Sequence, residues 1–376
     1  MAKQAYVYSG TDWVPLASEV TNLSGYQTKA LNQFAHRNLV INGDMQIAQR
    51  GTSTASITSV GYFTADRWYT EVGTLGTWTQ SVENDAPTGS GFRKSLKMLC
   101  TTADASPAAG DYLTVQTRFE GQNLQHIKKG TAAAEQLTVS FWVKANVTGT
   151  YTIFLYDNDN TRMINASYTI NASATWEYKT ITLAPDTTGV FDNDNAYSLA
   201  LYFNLSAGSN RTSGTISNTW AAYSTANEAP GQVNLAAATS NYWQITGVQL
   251  EVGPTATPFE FKSFEDDLLE CQRYYVRKSG TSEPIGSAFY RTTTTGFGNL
   301  YLPVTMRTTP SSLNFSGTDA FTITSVANQN TTALGLDVAG TQGMAFSFTT
   351  AAQTAGYGAI VFLNGSSKWF EVVAEL

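Results

Sequence analysis

Apolar and polar residues alternate along most of the chain with the two-residue period of half-buried β-strands. In "LTVSFWVKA", positions 137, 139, 141 and 143 place apolar side chains on one face, and Trp142 lies on the other. Similar runs stand at 149–159, 176–184, 196–206 and 241–253. Polar, turn-rich insertions separate them. The pattern predicts a mainly β protein with an antiparallel jelly-roll sandwich over residues 37–262.

The same alternation resumes after Gly280, in runs at 296–306, 319–328, 343–352, 357–365 and 368–376. These runs predict a second, C-terminal β domain over residues 279–376. Its last strand reaches the end of the sequence, and such a strand needs pairing or docking to be ordered. We therefore expect a strand that a single copy of the chain leaves without a partner.

Between the two β regions, "SFEDDLLECQRYYVR" predicts a short connecting helix over residues 263–278. Ser263 is an N-cap candidate with Asp266 at capping-box spacing, and acidic residues fill the first turn. Basic residues at 273, 277 and 278 would lie near the other end. Leu268, Cys271 and Tyr275 fall on one helical face, which could pack on a β surface or on the same helix of another copy.

Residues 1–36 precede the sandwich and show a different pattern. Two short runs with Tyr6, Tyr8 and Trp13 flank a Ser-Gly-Thr-Asp turn, which is typical of a β-hairpin, and residues 24–34 have a short helical pattern. Two strands are not stable alone in water. We therefore expect this segment to dock, with Tyr6, Tyr8 and Trp13 as attachment residues.

Charge excludes one class of partner. Charged residues are 14% of the chain, against about 25% in an average protein. The net charge is −7, whereas binding to nucleic acid rests on clustered Lys and Arg. The dibasic pair Lys128-Lys129 is interpreted as a solvated turn. The sequence also shows no export signal and no membrane-spanning run, so we expect no nucleic-acid partner and no membrane insertion.

Candidate catalytic chemistry is sparse. The two histidines, His36 and His126, have no ligand-spaced partner, and Cys100 and Cys271 are interpreted as buried free thiols. A glycosidase needs two carboxylates, but no spacing pairs any two of the candidates Asp66, Glu71, Asp111, Glu120, Glu177 and Glu251. We expect no enzymatic activity and no cofactor.

Two metal hypotheses remain, both for calcium, which prefers oxygen ligands. Asn42, Asp44 and Glu251 could clamp an ion between the first and last strands of a jelly roll. The two "DNDN" runs, at 157–160 and 192–195, are oxygen-rich but lack the rest of an EF-hand loop. They are interpreted as hairpin turns.

Sugar binding uses aromatic faces beside polar loops. Trp220 and Tyr223, in "SNTWAAYSTANEAPGQ", lie in such a loop, and Trp78 and Tyr197 lie in or beside others. These four residues are the candidate ligand-binding residues. Tryptophans inside strands are interpreted as core or interface residues.

Two stretches, "HRNLVINGDMQIAQRGTS" (36–53) with "ADRW" (65–68), and "NYWQITGVQLEVGPTATPFEFKSFEDDLLECQRYY" (241–275), resemble the start and the end of a β-sandwich module in tail fibres and related appendages of tailed bacteriophages. "LTVSFWVKANVTGTYTIFLYD" (137–157) and "YLPVTMRTTPSSL" (301–313) are similar in character to later parts of that family. "YVYSGTDWVPLA" (6–17) resembles particle-attachment segments, especially those of marine phages.

The resemblance implies a non-enzymatic virion protein with a jelly roll similar to carbohydrate-binding modules, commonly assembled as a homotrimer. It implies a tail-fibre subunit that is made in the host cytoplasm, binds other particle proteins through its N-terminus and adheres to a host surface glycan. Two alternatives stay open. One is a purely architectural head, collar or baseplate decoration, and the other is a polysaccharide depolymerase.

Overall fold

The computed structural model describes residues 6–8, 13–15, 36–280, 284–310 and 312–376, the first two ranges as backbone only. Strands are numbered β1–β25 in chain order. The protein is mainly β with antiparallel sheets, as predicted. The N-terminal strands β1 (Tyr6–Tyr8) and β2 (Trp13–Pro15) pair antiparallel, with Tyr8 opposite Trp13. The side chains of the expected attachment residues and the expected helix at 24–34 lie outside the described residues.

Two facing sheets form the sandwich. The first has seven strands, in spatial order β14 (Ala221–Ala222), β11 (Arg162–Ile170), β10 (Gly149–Asp157), β13 (Tyr197–Ala207), β8 (Tyr112–Glu120), β5 (Tyr69–Gly73) and β4 (Gly61–Tyr62). The second has six, in order β12 (Glu177–Leu183), β9 (Leu137–Ala145), β15 (Tyr242–Val252), β7 (Ser95–Thr102), β6 (Thr77–Glu83) and β3 (Ser53–Ile57). Short helices join them: α1 (Ser209–Thr212) and the 3-10 turns Gly121–Asn123, Gln125–Ile127, Thr225–Asn227 and Leu235–Ala237.

Alternation places the core as the sequence predicts. Val139, Phe141 and Val143 of β9 are buried between the sheets, whereas Trp142 points to the other side and lies against Tyr178. Cys100 and Cys271 are buried free thiols, as expected. Because both sheets contribute an apolar face to one continuous cluster, the sandwich has a single core.

Two further sheets form the C-terminal module. One has three strands, in order β16 (Tyr275–Ser279), β25 (Trp369–Val373) and β19 (Leu313–Phe315). The other has seven, in order β21 (Asn328–Asn330), β20 (Phe321–Thr324), β24 (Gly358–Leu363), β17 (Pro284–Tyr290), β18 (Thr295–Tyr301), β23 (Gly343–Thr349) and β22 (Ala333–Ala339). A separate hydrophobic cluster fills the space between these two sheets.

The connecting helix, α2 (Phe264–Gln272), is shorter than predicted. Ser263 caps it as expected, since its Oγ accepts a hydrogen bond from the Asp266 amide at 3.1 Å. The helix ends at Gln272 because the following residues pair as β16, so the predicted range of 263–278 was wrong at its C-terminal end. Asp267 accepts a hydrogen bond from the Asn42 amide at 3.0 Å, which places the helix against the entry to the sandwich.

The C-terminal strand is not left without partners. Strand β25 lies in the middle of its sheet, paired with β16 and β19. Beyond it, Glu375 forms ion pairs with Arg50, at 3.0 Å, and with the fully buried Arg67 of the sandwich. The Leu376 carbonyl accepts a hydrogen bond from Arg118 at 2.7 Å. The expectation of an uncovered last strand was therefore wrong, because β16 and β19 pair with it on both sides and the sandwich binds the two residues at the end of the chain.

Among the described residues, no helix is both long enough and apolar enough to span a membrane.

Candidate functional site

The outward side of the seven-stranded sandwich sheet, called the sandwich face below, is unusually polar. On β8, Leu113 and Val115 point into the core, so Thr114, Gln116 and Arg118 point outward. The sandwich face comprises the outward side chains of β5, β8, β13, β10 and β11, and the residues used below are Tyr69, Glu71, Tyr112, Thr114, Gln116, Arg118, Thr152, Phe154, Tyr156, Asn165, Tyr197, Tyr202 and Asn204.

Strand register orders these side chains into rows across the sheet. One row runs from Tyr69 through Gln116 and Tyr202 to Phe154. The rings of Tyr202 and Phe154 stack, with centroids 4.3 Å apart and planes 9° from parallel. Because neighbouring strands lie about 4.8 Å apart, this row forms a continuous band of aromatic and amide groups.

The adjacent row runs from Glu71 through Thr114 and Asn204 to Thr152, and all four side chains are polar. Burial raises the pKa of Glu71, and the nearby Arg118 guanidinium, 3.4 Å from its carboxylate, opposes that shift. Burial likewise raises the pKa of Tyr202. The Tyr202 hydroxyl is therefore a neutral donor and acceptor at physiological pH.

Two arginines lie flat on aromatic rings at this surface. Arg118 lies 4.1 Å from the ring centre of Tyr69, and Arg211 lies 3.6 Å from that of Tyr112. Each arginine also pairs with a carboxylate, Arg118 with Glu71 and Arg211 with Glu228. The charges on the face are thus balanced locally, and the rings and guanidinium planes are held in fixed positions.

Two buried polar atoms on this face have no hydrogen-bond partner in the described part of the protein, Thr114 Oγ1 and Asn204 Oδ1. Asn204 is satisfied at its other atom, since its Nδ2 donates to the Glu228 carbonyl at 2.7 Å. Gln116 Oε1 accepts a hydrogen bond from Arg118 at 3.2 Å, the Gln116 side chain also interacts with Glu71 and Tyr202, and the Tyr197 hydroxyl meets that of Tyr202. Native proteins leave few buried polar atoms unpaired, so Thr114 and Asn204 mark a place that can accommodate an incoming polar group.

A loop at residues 208–234 covers one side of the sandwich face. Asn165 on β11 donates hydrogen bonds to the carbonyls of Thr215, at 2.8 Å, and Asn227, at 2.6 Å. The Tyr223 hydroxyl donates to Glu228, and its ring meets that of Tyr156 edge to face at 5.2 Å. The loop is therefore tied to the sheet and forms a wall beside the rows of β13, β8 and β5.

The four candidate ligand-binding residues have different places in the structure. Tyr197 lies on the sandwich face, and Tyr223 lies in the loop that forms the wall beside it. Trp220 is half-buried against the core, and its indole N–H donates to the Ala184 carbonyl at 2.9 Å. Trp78 was wrongly expected to meet a ligand, because it is fully buried and its N–H donates to the Leu75 carbonyl at 2.7 Å.

The proposed calcium ligands do not form a site. Asn42 uses its side chain to bond the Ile47 and Asp66 backbones, and Glu251 accepts bonds from Gln249 and Thr257. Asp44 alone keeps an unpaired oxygen. Within the described ranges, no three His, Cys, Asp or Glu side chains are placed to hold a metal. The clamp was therefore wrong, because two of its three members are already engaged as structural hydrogen-bonding groups.

The two "DNDN" runs meet each other at a turn. The backbone N–H of Asp192 donates to Asp159 at 3.0 Å, and Asp194 accepts from the Ala196 N–H at 2.9 Å. Asp157 forms a buried ion pair with Lys129. The run at 157–160 is the turn of the β10–β11 hairpin, as expected. The run at 192–195 is not a hairpin turn, because it lies in the connection between β12 and β13, which belong to different sheets.

The candidate glycosidase carboxylates are dispersed. Glu71 lies on the sandwich face, whereas Asp66, Asp111 and Glu251 are buried in other hydrogen-bonded positions. Glu120 binds Arg273 with both oxygens at 2.8 Å, and Glu177 holds the connection from β11 to β12 through the Asn171 and Ala172 amides. Glu71 and Glu120 both lie on the outward side of the seven-stranded sandwich sheet, but each is paired with its own arginine, Arg118 and Arg273.

Comparisons with known proteins gave structural neighbours only. No family model and no curated protein matches the chain. Among solved structures, the enzymatically active domain of tailspike protein 4 of bacteriophage CBA120 overlays with TM-score 0.31 at 14% identity, covering 57% of this chain and 21% of that one. A structure described as "CBM4 structure and function" overlays with a TM-score of 0.29 at 13% identity, covering 57% of this chain and 99% of that one. The family 11 carbohydrate-binding module of Clostridium thermocellum, in complex with a mixed-linked tetrasaccharide, overlays with a TM-score of 0.29 at 10% identity, covering 55% of this chain and 98% of that one.

Sequence reasoning missed most of the sandwich face. A signal was present in "YLTVQTRFE" (112–120), whose outward positions are Tyr, Thr, Gln, Arg and Glu rather than the small polar residues of an ordinary solvated strand. The strand "YSLALYFNLSA" (197–207) carries the matching Tyr202 and Asn204. What the pattern lacked was the pairing of β8 with β13, which only the fold supplies.

Proposed function

We propose that the sandwich face binds a host surface glycan. The observation that carries this proposal is a sheet face that combines half-buried tyrosine rings with amide and hydroxyl side chains, two of whose buried atoms, Thr114 Oγ1 and Asn204 Oδ1, have no hydrogen-bond partner. A sugar offers hydroxyls that both donate and accept hydrogen bonds, and its C–H faces pack on aromatic rings. Sites of this kind combine apolar area with a few convergent polar groups.

The balance of charges on the face favours neutral or weakly charged glycans as ligands. Arg118 and Arg211 are already neutralised by Glu71 and Glu228, so the face offers no surplus positive charge to a strongly anionic polymer. A neutral ligand requires no separation of these pairs, which would leave a buried charge without a partner. Weak single sites suit adhesion, since multivalent display raises avidity by factors of about a hundred or more.

A glycan array followed by calorimetry tests the proposal with matched variants. Tyr202→Ala removes a ring from the centre of the face, and we expect binding at least about tenfold weaker, since truncating an aromatic hot-spot residue costs about 2 kcal/mol or more. Tyr178→Ala removes a ring that is 46% exposed on the outward side of the opposite sheet, and it should bind normally. No glycan bound by the native chain, or equal loss in both variants, would refute the proposal.

Thr114→Val gives a second measurement that does not disturb packing. Its hydroxyl has no protein partner, so the variant should keep the stability of the native chain. Thr114 is 1% exposed, so a sugar hydroxyl reaches it only if the side chains covering it move on binding, and the affinity should then fall because that hydrogen bond is lost. Unchanged affinity would show that the row containing Thr114 does not contact the ligand.

The depolymerase alternative predicts a different result in one measurement, the release of reducing ends. If the chain cleaves the polysaccharide it binds, then new reducing ends appear and Glu71→Gln abolishes them. Under the binding proposal, no reducing ends appear and the variant changes affinity only. A purely architectural protein would bind no glycan or host cell at all.

The particle role rests on the sequence resemblance and on the paired strands β1 and β2. We propose that residues 1–36 attach the chain to a tailed-phage particle as part of an external appendage. Deleting them should leave a folded, soluble protein that no longer joins particles lacking this subunit. A truncated chain that still assembles onto such particles would refute the attachment role while leaving the glycan proposal intact.

A further inference from the structure

A cluster of buried charged side chains lies where three connections of the sandwich meet. It contains Lys129, in the connection between β8 and β9, Asp157, the last residue of β10, and Asp186, in the connection between β12 and β13. Lys129 forms an ion pair with Asp157, and its Nζ lies 3.1 Å from Asp186 Oδ2. An amine and a carboxyl group in direct contact are the two reactants that form an amide bond.

Water is almost excluded from this pair. The side chain of Lys129 is 2% exposed and that of Asp157 is 0% exposed, and no other lysine among the described residues is buried. The rings of Phe191 and Trp220 lie 5.1 Å and 5.0 Å from the Lys129 Nζ. A lysine is a nucleophile only as the neutral amine, which desolvation and apolar surroundings favour over the ammonium.

The surrounding charges allow the pair to become neutral. Arg162 binds Asp186 with two nitrogens, at 2.8 Å and 3.0 Å. Burial opposes the ionisation of Asp186, but hydrogen bonds from Arg162 and Thr188 outweigh it and hold the pKa of Asp186 below its usual value. The Arg162–Asp186 pair is therefore complete without Lys129. A proton can move from Lys129 to Asp157 without leaving a buried charge unpaired.

Backbone carbonyls hold the amine in place. The Lys129 Nζ donates hydrogen bonds to the Gly189 carbonyl at 2.8 Å and to the Thr188 carbonyl at 3.1 Å. A neutral amine has two hydrogens, so these two carbonyls can accept both and leave the lone pair for the carboxyl carbon of Asp157. Groups fixed in contact in this way react far faster than the same groups free in solution.

Asn160 supplies hydrogen-bond donors to the oxygen on which charge develops. Its backbone N–H donates to Asp157 Oδ1 at 3.0 Å, and its Nδ2 donates to the same atom at 3.2 Å. Attack of an amine on a carboxyl carbon gives a tetrahedral intermediate with negative charge on one oxygen. Two donors already fixed beside that oxygen stabilise the intermediate.

We propose that Lys129 and Asp157 form an intramolecular isopeptide bond after the chain has folded. The ammonium first gives a proton to the Asp157 carboxylate. The Nζ lone pair then forms a bond to Asp157 Cγ, Asp186 carries a proton from the nitrogen to Asp157 Oδ2, and the Cγ–Oδ2 bond breaks. The products are one amide and one water molecule, so the reaction needs no oxidant, reductant or cofactor. A neutral amide also replaces a buried ion pair and its desolvation cost.

The bond joins positions that are 28 residues apart and closes β9 and β10 into one covalent ring. Tension along the backbone then passes through the bond and bypasses both strands. This inference does not depend on glycan binding, because no residue of the cluster is among the proposed ligand contacts.

Intact mass spectrometry of the denatured full chain tests the proposal. We expect the native chain to be lighter than its sequence mass by one water molecule. After tryptic cleavage, residues 129–144 and 145–162 should remain joined, and fragmentation should place the link at Lys129 and Asp157. A native chain at its full sequence mass, or water lost at other residues, would overturn the proposal.

Two lysine variants are the matched controls. Lys129→Arg keeps the positive charge but removes the nucleophile, so it should have its full sequence mass. Lys144 also pairs with an aspartate, Asp85, and lies 5.1 Å from the ring of Trp176, but the Asp85 side chain is 46% exposed. Lys144→Arg should therefore lose one water molecule as the native chain does. A loss of water that persists in Lys129→Arg would come from a different reaction and would refute the isopeptide bond.

Asp186→Asn tests the proton relay. The amide keeps the size of the side chain and an oxygen acceptor but cannot carry the proton, and such transfer steps contribute about a hundredfold or more to a rate. The freshly purified variant should therefore contain unlinked chains, whereas the native chain should be fully linked. Complete linkage in the fresh variant would exclude Asp186 from the reaction, and the mass of the native chain would still decide whether the bond exists. Stability measurements cannot replace mass here, because a Lys129 variant loses the ion pair as well as the bond.

Discussion

The two seven-stranded sheets of this protein have similar size but opposite outward faces. The sandwich face carries arginines, tyrosines and amides, and two of its buried polar atoms have no hydrogen-bond partner in the described residues. The outward side of the seven-stranded C-terminal sheet carries exposed apolar residues such as Phe289, Val338 and Ile360 among Ser, Thr and Asn, and Asp337 is the one charged residue of its strands. Two sheets with the same number of strands therefore present different chemistry, one rich in ionic and hydrogen-bonding groups and the other nearly uncharged.

The difference extends below the surface. The sandwich buries ionic groups such as Lys129, Arg67 and Glu120, each held by carboxylates, guanidinium groups or rings. The core of the C-terminal module is built from aromatic and aliphatic side chains. Buried ion pairs add little net stability compared with apolar packing, but removing one partner is costly. We therefore expect the sandwich to be sensitive to single charge changes and the C-terminal module to be tolerant of them.

The largest effect should come from Lys129→Met. Lys129 is 4% exposed and pairs with Asp157 and, at 3.1 Å, with Asp186, and its ammonium also donates to the Gly189 carbonyl at 2.8 Å. The substitution leaves the buried carboxylate of Asp157 without its cation, whereas Asp186 keeps its pair with Arg162. We expect a loss of about 3–5 kcal/mol in the free energy of unfolding, measured by urea denaturation.

Lys368→Met is the control for that prediction. It breaks the Lys368–Asp319 pair of the C-terminal module, which lies at the surface and whose carboxylate is fully exposed to solvent. Exposed pairs contribute little because water already solvates both charges. The unfolding curve should not move measurably. Equal destabilisation by both variants would contradict the contrast between the two regions.

The sequence predicted the fold class because alternation alone determines which side chains a strand buries. It also located the helix start, since Ser263 and Asp266 form a local cap that needs no tertiary contact. It misplaced the helix end because Tyr275 is equally apolar on a helix or a strand, and pairing with Val373 decided between them. The same limit applies to Lys129, which was interpreted as solvated although its carboxylates lie 28 and 57 positions further along the chain.

The candidate site was predicted only in part for a related reason. Tyr223 and Tyr197 were found because their polar loop surroundings are local features of the sequence. Arg118, Gln116 and Tyr202 were missed because their neighbours come from strands that are distant in sequence. Trp78 was misassigned because a loop-adjacent tryptophan and a core tryptophan look alike until the burial of the ring is known.

A smaller effect is expected in the pH dependence of the stability of the sandwich. Asp267 on α2 is buried against the sandwich, and burial raises its pKa from 3.8 to about 6, with the Asn42 amide opposing the shift and the Asp44 carboxylate adding to it. The folded protein therefore keeps a proton on Asp267 between about pH 4 and pH 6, where the unfolded chain has already lost it. Since the folded state binds more protons there, stability falls as the pH rises through this window and levels off above it.

Asp267→Asn removes this dependence while keeping an oxygen that can accept the hydrogen bond from the Asn42 amide. Near pH 4 the variant and the native chain should be about equally stable. At pH 7 the variant should be more stable by about 1–3 kcal/mol, because roughly two pKa units correspond to that difference. Asp266→Asn is the matched control, since it removes the same charge from an exposed position in the same helical turn and should leave the pH profile of the native chain. The measurement is thermal unfolding from pH 4 to pH 8 for the three proteins. If the native chain gains stability from pH 4 to 6 relative to Asp267→Asn, the sign is reversed, and α2 does not bury a protonated carboxyl against the sandwich.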